Sequence, residues 1–210
     1  MISIVIPVYN EAKYIEKTLK QIPNNLEIIV VCNGCTDNTE KIAKKYSKTC
    51  SIKEKNVSLA RNYGGNKVHG NIIIFLDADT LINKDILEKI SNIKSKGFFG
   101  TCKVKPDDNS IINILYCKLK NLVGLLGIHN ASGIIFCSKD IFDKVKFNEN
   151  ITVRENQDFS NKARKYGKRY FLNSYVITSM RRYQKLGYFG VLLFTIKRLF
   201  FKSKYYPSIR

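Results

Sequence analysis

Three short apolar runs lie in the first part of the chain, at residues 2–6, 27–31 and 71–76, and each stops abruptly at a cluster of polar residues. They are rich in β-branched and aromatic side chains and do not alternate with polar ones, which predicts strands covered on both faces. Between them the pattern changes. Residues 12–21 and 39–46 carry apolar positions at helical spacing, sparse and one-sided in the second, with Asp37 or Thr36 expected to cap it. Strands alternating with helices predict a parallel sheet with the three polar clusters on one edge. The expected fold class is therefore α/β, a mostly parallel sheet flanked by helices.

Those polar clusters hold the candidate chemistry. The first is Pro7-Val8-Tyr9-Asn10-Glu11 and the second Cys32-Asn33-Gly34-Cys35-Thr36-Asp37-Asn38-Thr39. The third, Asp77-Ala78-Asp79, sets two carboxylates one residue apart at the end of a buried strand. Ligands of open α/β sheets bind beyond the carboxyl ends of the strands. Carboxylate oxygens there suit Mg²⁺ or Mn²⁺ held jointly with a substrate diphosphate. The bland alternative is a helix cap, for which Asp-X-Asp is also common.

Further along come Leu59-Ala60-Arg61-Asn62, Ala131-Ser132-Gly133, Phe147-Asn148-Glu149 and Glu155-Asn156-Gln157-Asp158-Phe159. In order and spacing, these elements and the three polar clusters resemble family 2 glycosyltransferases, which are inverting, nucleotide-sugar-dependent enzymes of the GT-A fold. The resemblance covers nearly the whole chain. It implies that Pro7, Tyr9 and Glu11 wall a nucleoside pocket, with Asn33 at the base and Arg61 at the nucleotide. It further implies Asp77 near the ribose and metal, Ala78 in the same donor segment, and Asp79 as the direct ligand of Mg²⁺ or Mn²⁺. His129, Ser132 and Gly133 would border the acceptor, and Arg181 and Arg182 would close over the leaving diphosphate; the plain alternative for these arginines is a solvated pair after a strand.

Two residues depart from the family pattern. Asn33 replaces an aspartate, and because its amide both accepts and donates, uridine is not imposed as the donor nucleoside. Asn156 stands where relatives use an aspartate as general base, and an amide cannot take that proton. Glu155 and Asp158, at i and i+3 of an expected helix over 158–166 and its approach, are the candidate substitutes. Asp158 could instead only stabilise that helix through its dipole, or the acceptor could already be ionised. The resulting reading is transfer of one sugar from a UDP- or GDP-sugar to a carbohydrate or lipid-linked acceptor. The alternatives are a catalytically inactive sugar-nucleotide-binding scaffold and a basic nucleic-acid-binding protein, the latter with no recognition motif to support it.

Composition fits one globular domain, 1–210, divided into a nucleotide half (1–100), an acceptor half (101–170) containing an amphipathic stretch at 111–126, and a basic carboxy-terminal segment (171–210). Net charge is +19, and residues 159–210 hold thirteen basic side chains and no acidic one. That end attracts polyanions, and the apolar, basic stretch 188–201 is too short to span a bilayer but suits either the interface of an anionic membrane or a helix packed over the sheet. With Met1-Ile2-Ser3 passing straight into a strand, no signal peptide is expected. A reducing, cytoplasmic setting, peripheral on a membrane, and six free thiols follow as expectations. A lone Cys32-x-x-Cys35 pair argues against a zinc site.

Overall fold

The computed structural model describes residues 1–127, 133–151, 154–181 and Gly187. His129, Ser132, Arg182 and the stretch 188–201 lie outside them.

The first part of the chain alternates between strand and helix, with one strand and one helix more than expected, β3 and α3: β1 (Ile2–Val8), α1 (Ile15–Lys20), β2 (Glu27–Asn33), α2 (Thr39–Ala43), β3 (Lys48–Ile52), α3 (Val57–Lys67) and β4 (Ile72–Leu76). Then follow β5 (Thr80–Leu81), α4 (Lys84–Ser91), β6 (Phe98–Pro106), α5 (Ile111–Leu125), β7 (Ile134–Ser138), α6 (Lys139–Val145), α7 (Glu155–Ala163) and β8 (Lys168–Thr178). Among the described residues one eight-stranded sheet runs in the order β3-β2-β1-β4-β7-β6-β8-β5. β1 pairs in parallel with β2 and β4, and β2 with β3, so the carboxyl ends of β1, β2 and β4 share an edge. β7 runs antiparallel to both β4 and β6, and β5 antiparallel to β8, so the sheet is mixed beyond β4.

The unbroken apolar runs are explained by the two cores. Along β1, Ile4 and Ile6 face a cluster with Ile15, Leu19, Ile74 and Phe136, whereas Val5 faces Ile29, Phe75, Phe142 and Phe159 on the other side. With successive side chains on opposite faces, a strand covered twice must be apolar throughout.

Three helices differ from expectation in their bounds. α1 begins at Ile15 rather than residue 12, and α2 starts at Thr39 as expected but ends at Ala43; its N-cap is Asn38, and Asp37, one residue earlier, accepts from Thr39 N at 3.0 Å and Ala12 N at 3.3 Å. The helix expected over 158–166 starts at Glu155 and ends at Ala163. α3, which has no apolar stripe, forms for other reasons. Asn56 caps it, accepting from Ser58 N and Leu59 N at 2.9 and 3.1 Å. Gly64 and Gly65 let its backbone lie against the sheet and α6, where a Cβ would overlap Val5 and the Phe142 ring.

Candidate active site

The site starts from the loops that leave β1 and β2. Asn10, at φ 51°, turns its amide toward Thr36, whose N–H donates to Asn10 Oδ1 at 2.8 Å and whose hydroxyl accepts from Asn10 Nδ2 at 3.0 Å. Thr39 Oγ1 accepts from Glu11 N at 2.8 Å. These bonds lock the two loops into one wall. Within it Asn33 and Glu11 are buried. The ring of Tyr9 lies 3.8 Å beneath Lys55 Nζ, a cation–π contact with a residue the sequence did not single out.

The third loop leaves β4 between two arginines. Arg61, buried on α3, donates from Nη2 to Asp77 Oδ1 at 3.2 Å and from Nη1 to Glu155 Oε1 at 3.0 Å. Arg181, just past β8, donates to Glu11 Oε1 at 2.5 Å and to Asp79 Oδ2 at 3.1 Å. Each carboxylate of the Asp-X-Asp pair is thus paired with a different guanidinium, which it shares with a glutamate. Burial pulls the Arg181 ionisation downward, but the Glu11 hydrogen bond, then Glu11 and Asp79 charge and Tyr14, hold it well above the usual arginine value. Its guanidinium carbon also sits 4.2 Å from the Tyr14 ring centroid. Ala78 is buried and its carbonyl accepts from Thr18 Oγ1 at 2.7 Å, so the turn between the two aspartates is anchored to α1.

The opposite side is held by α3. Asn62 accepts from Phe147 N at 2.8 Å and donates to Phe147 O at 2.9 Å and Glu149 Oε1 at 2.7 Å, which gives Asn62 and the Phe147-Asn148-Glu149 segment a shared structural purpose. Phe147 in turn stacks on Phe159 of α7 at 4.6 Å and meets Phe75 of β4 edge-on at 4.9 Å. α7 is thereby fixed against the strand that carries the aspartates. Of its polar residues Glu155 reaches Arg61, while Asp158 pairs with Lys162 at 2.7 Å. Asn156 Oδ1 is buried with no hydrogen-bond partner among the described residues. Gly133 enters the site by its backbone: at φ 75° its carbonyl accepts from Asp77 N at 2.8 Å. A Cβ there would overlap Thr80.

The pair Asp77 and Asp79 fits Mg²⁺ or Mn²⁺ by its donors and position. Both are hard oxygen ligands on a strand end, with side chains 43% and 21% exposed. Among the described residues no third His, Cys, Asp or Glu joins them in a cluster. Two carboxylates are the usual protein share for an ion that also binds phosphate oxygens and water.

The sequence profile described as Glycosyl transferase family 2 matches residues 3–111, just over half the chain. The chain belongs to this family. Similar proteins include Glycosyltransferase GlyA of Streptococcus pneumoniae, 36% identical over 99 residues, covering 42% of this chain and 14% of that protein. Among solved structures, that of S. aureus TarS 1–349 in complex with UDP-GlcNAc superposes with a TM-score of 0.66 at 21% identity, covering 86% of this chain and 58% of that one. Mannosyltransferase PcManGT from Pyrobaculum calidifontis, in complex with GDP-Man and Mn²⁺, gives 0.66 at 17% identity, covering 94% and 60%. At such identities the superpositions establish the GT-A fold. The chain spans between a seventh and a third of the length of the first curated relatives it matches.

Proposed function

We propose that this family 2 chain transfers a single sugar from a UDP- or GDP-sugar to a hydroxyl of a carbohydrate or lipid-linked acceptor, with inversion and with the help of Mg²⁺ or Mn²⁺. The observation that carries the reading is the pair of arginine bridges, Arg61 across Asp77 and Glu155, and Arg181 across Glu11 and Asp79. They gather donor-side and acceptor-side carboxylates around one strand end.

In this scheme the wall of Pro7, Tyr9, Glu11 and Asn33 receives the nucleoside, and Lys55 over Tyr9 adds positive charge beside it. Asp77 and Asp79 would hold the divalent ion, which when bound stabilises the negative charge that develops on the leaving diphosphate. Arg181, which bonds Asp79 and Glu11 at the same strand end, would pair with a phosphate oxygen of the donor, a task suited to its planar fork. Arg61 keeps Asp77 and Glu155 at a fixed separation, aligning the donor with the acceptor side. The acceptor oxygen attacks the anomeric carbon on the face opposite the nucleoside diphosphate. As the new C–O bond forms, the bond to the diphosphate breaks with its electron pair, and the hydroxyl proton passes to a carboxylate of α7. The absence of disulfides among the six cysteines suits a reducing, cytoplasmic setting. Burial, which raises the Cys102 thiol to about 12, keeps that thiol inert.

Asn156 favours a second reading, a protein that binds nucleotide sugars without transferring them. A thermal-shift panel of nucleoside diphosphates with and without Mn²⁺ tests the shared premise, because a ligand bound only by the folded state raises Tm. We expect Mn²⁺-dependent stabilisation by UDP or GDP, abolished in Asp79→Ala and weakened in Asp77→Ala. Equal stabilisation with Mn²⁺ and with chelator would remove the metal from the scheme. Donor turnover in the presence of candidate acceptors separates the enzyme from the binder.

A further inference from the structure

α5 is built inside out. Its sheet-facing side presents Asn113, Cys117, Asn121 and Gly124, small or polar residues, of which Cys117 enters the core beside Tyr116 and Asn121 bonds the sheet. Asn121 bonds Val104 of β6 twice, accepting from N at 2.7 Å and donating to O at 2.9 Å, and Asn113 donates to both carboxylate oxygens of Asp108 at 2.8 Å. The outward side carries the large apolar residues at helical spacing. Leu115, Leu119 and Leu122 are 58%, 59% and 56% exposed, and Ile111, Ile112 and Leu126 extend the stripe at both ends. A soluble helix places these residues the other way round. An exposed apolar stripe of this length marks an interaction surface.

Charge selects the occupant. No acidic residue occurs between Asn109 and Lys139. Lys118 lies within the exposed arc, Lys120 lies beside Tyr116, and Arg164 and Arg169 bond the carbonyls of Gly127 and Gly124 at the helix end. Asp107 and Asp108, which precede the helix, are engaged by Met180 N and Asn113. A second copy of this chain, with net charge +19, would bring like charge to the same rim. The residues after Arg181 offer an apolar stretch at 188–201 but would bring seven basic side chains and no acidic one to that basic rim. An anionic lipid surface satisfies both the apolar stripe and its basic rim.

We propose that the outward face of α5 docks the protein on an anionic membrane, with the helix lying in the plane of the interface. Docking requires neither donor nor metal, so it stands or falls independently of the glycosyl-transfer reading. α5 is tied to β6 through Asn121 and Val104, and β6 pairs with β7, which begins just after Gly133, whose carbonyl binds Asp77 N; a membrane on α5 would thus cover the part of the sheet beside that turn and favours a lipid-linked over a free acceptor.

Vesicle flotation of the full chain tests this, using phosphatidylcholine with about one-quarter phosphatidylglycerol, and phosphatidylcholine alone as control. We expect binding to the anionic vesicles, reduced when salt is raised to about 0.5 M. Leu115→Asp/Leu119→Asp/Leu122→Asp should lower the bound fraction by about tenfold. The chain contains no tryptophan, so Leu119→Trp adds a single reporter whose emission should shift to the blue on anionic vesicles. Equal flotation of the native and triple-variant proteins, or no spectral shift, would overturn the proposal. So would a concentration-dependent dimer dissolved by the triple variant, which would assign the face to a second copy. A fall in Tm of more than about 5 °C in that variant would show the stripe is covered within the monomer, and would overturn it equally.

Discussion

Arg181 supplies positive charge to Asp79 where the proposed cation would bind. Two ligands of the same carboxylate compete, so removing the guanidinium should help the ion and harm the diphosphate. Arg181→Gln is expected to bind Mn²⁺ alone about threefold to tenfold more tightly, because a like charge has left the site. The same variant should bind UDP or GDP with Mn²⁺ about tenfold or more weakly, the value of a charge-assisted hydrogen bond. Calorimetry of both titrations checks this, and unchanged constants in both would reduce Arg181 to a structural tie between Glu11 and Asp79. At this scale the Asp-X-Asp pair was legible because it interrupts an apolar run. The pairing of each aspartate with a different arginine was not, since Arg61 and Arg181 are separated by more than half the chain.

The helices divide by how they signal themselves. α7 was foreseen in part from Asp158 and Phe159, and its start at Glu155 moves Glu155 into the first turn together with Asp158. That turn holds the base question. Glu155 is bound to buried Arg61 beside Asp77, while Asp158 pairs along the helix with Lys162. If a carboxylate of this turn accepts the proton, Glu155→Gln or Asp158→Asn should lower kcat by about 10²–10⁴-fold with donor binding retained. Asn156→Asp should leave the rate unchanged in that case. A large gain in Asn156→Asp would identify the native protein as a binder, and full activity in both other variants would point to an acceptor that is already ionised. α3 left no periodic trace in the sequence because glycines and an asparagine cap, not an apolar stripe, set its packing. Its only forward sign was Asn56 ahead of Val57-Ser58-Leu59. In α5 the amphipathic pattern was visible, but not which side would face outward, because that depends on Asn121 finding Val104 of β6.

Across the whole molecule, the sheet has a functional edge and a fastening edge. At the amino ends of β1 and β2, Glu27 accepts from Ser3 Oγ and from His69 N at 2.9 Å, and its other oxygen meets His69 Nδ1 at 2.6 Å. Burial raises the Glu27 ionisation, but the Ser3 and His69 bonds outweigh it and leave it below the usual value. A carboxyl depressed on folding stabilises the native state above its unfolded value, about 4.3, and that contribution disappears as pH falls through the folded value. Glu27→Gln should therefore lower Tm at pH 7, by roughly 3–6 °C for a loss of about 1.5 kcal/mol. It should also flatten part of the acid limb below about pH 4.3, with UDP and GDP affinity unchanged. Melts across pH check it. In the parallel first half of this sheet β1, β2 and β4 were legible, since doubly covered strands leave unbroken apolar runs, whereas the edge strand β3, with no buried residue, was not. The antiparallel entry of β7 was not, because Ile134–Ser138 reads as apolar in either direction.

The flush seating of α3 has a mechanical consequence. A helix whose Gly64 and Gly65 leave no gap to Val5 and Phe142 cannot rock without driving backbone into the core. Arg61 rides on that helix, so its grip on Asp77 and Glu155 behaves as a fixed jaw. Arg181 is anchored differently: its neighbour Met180 is buried in the core and donates from N to Asp107 Oδ1, while among the described residues the Arg181 side chain is held by Glu11, Asp79 and Tyr14. The two jaws thus differ in compliance, a buried guanidinium on a rigid helix facing one that can exchange partners by turning its side chain.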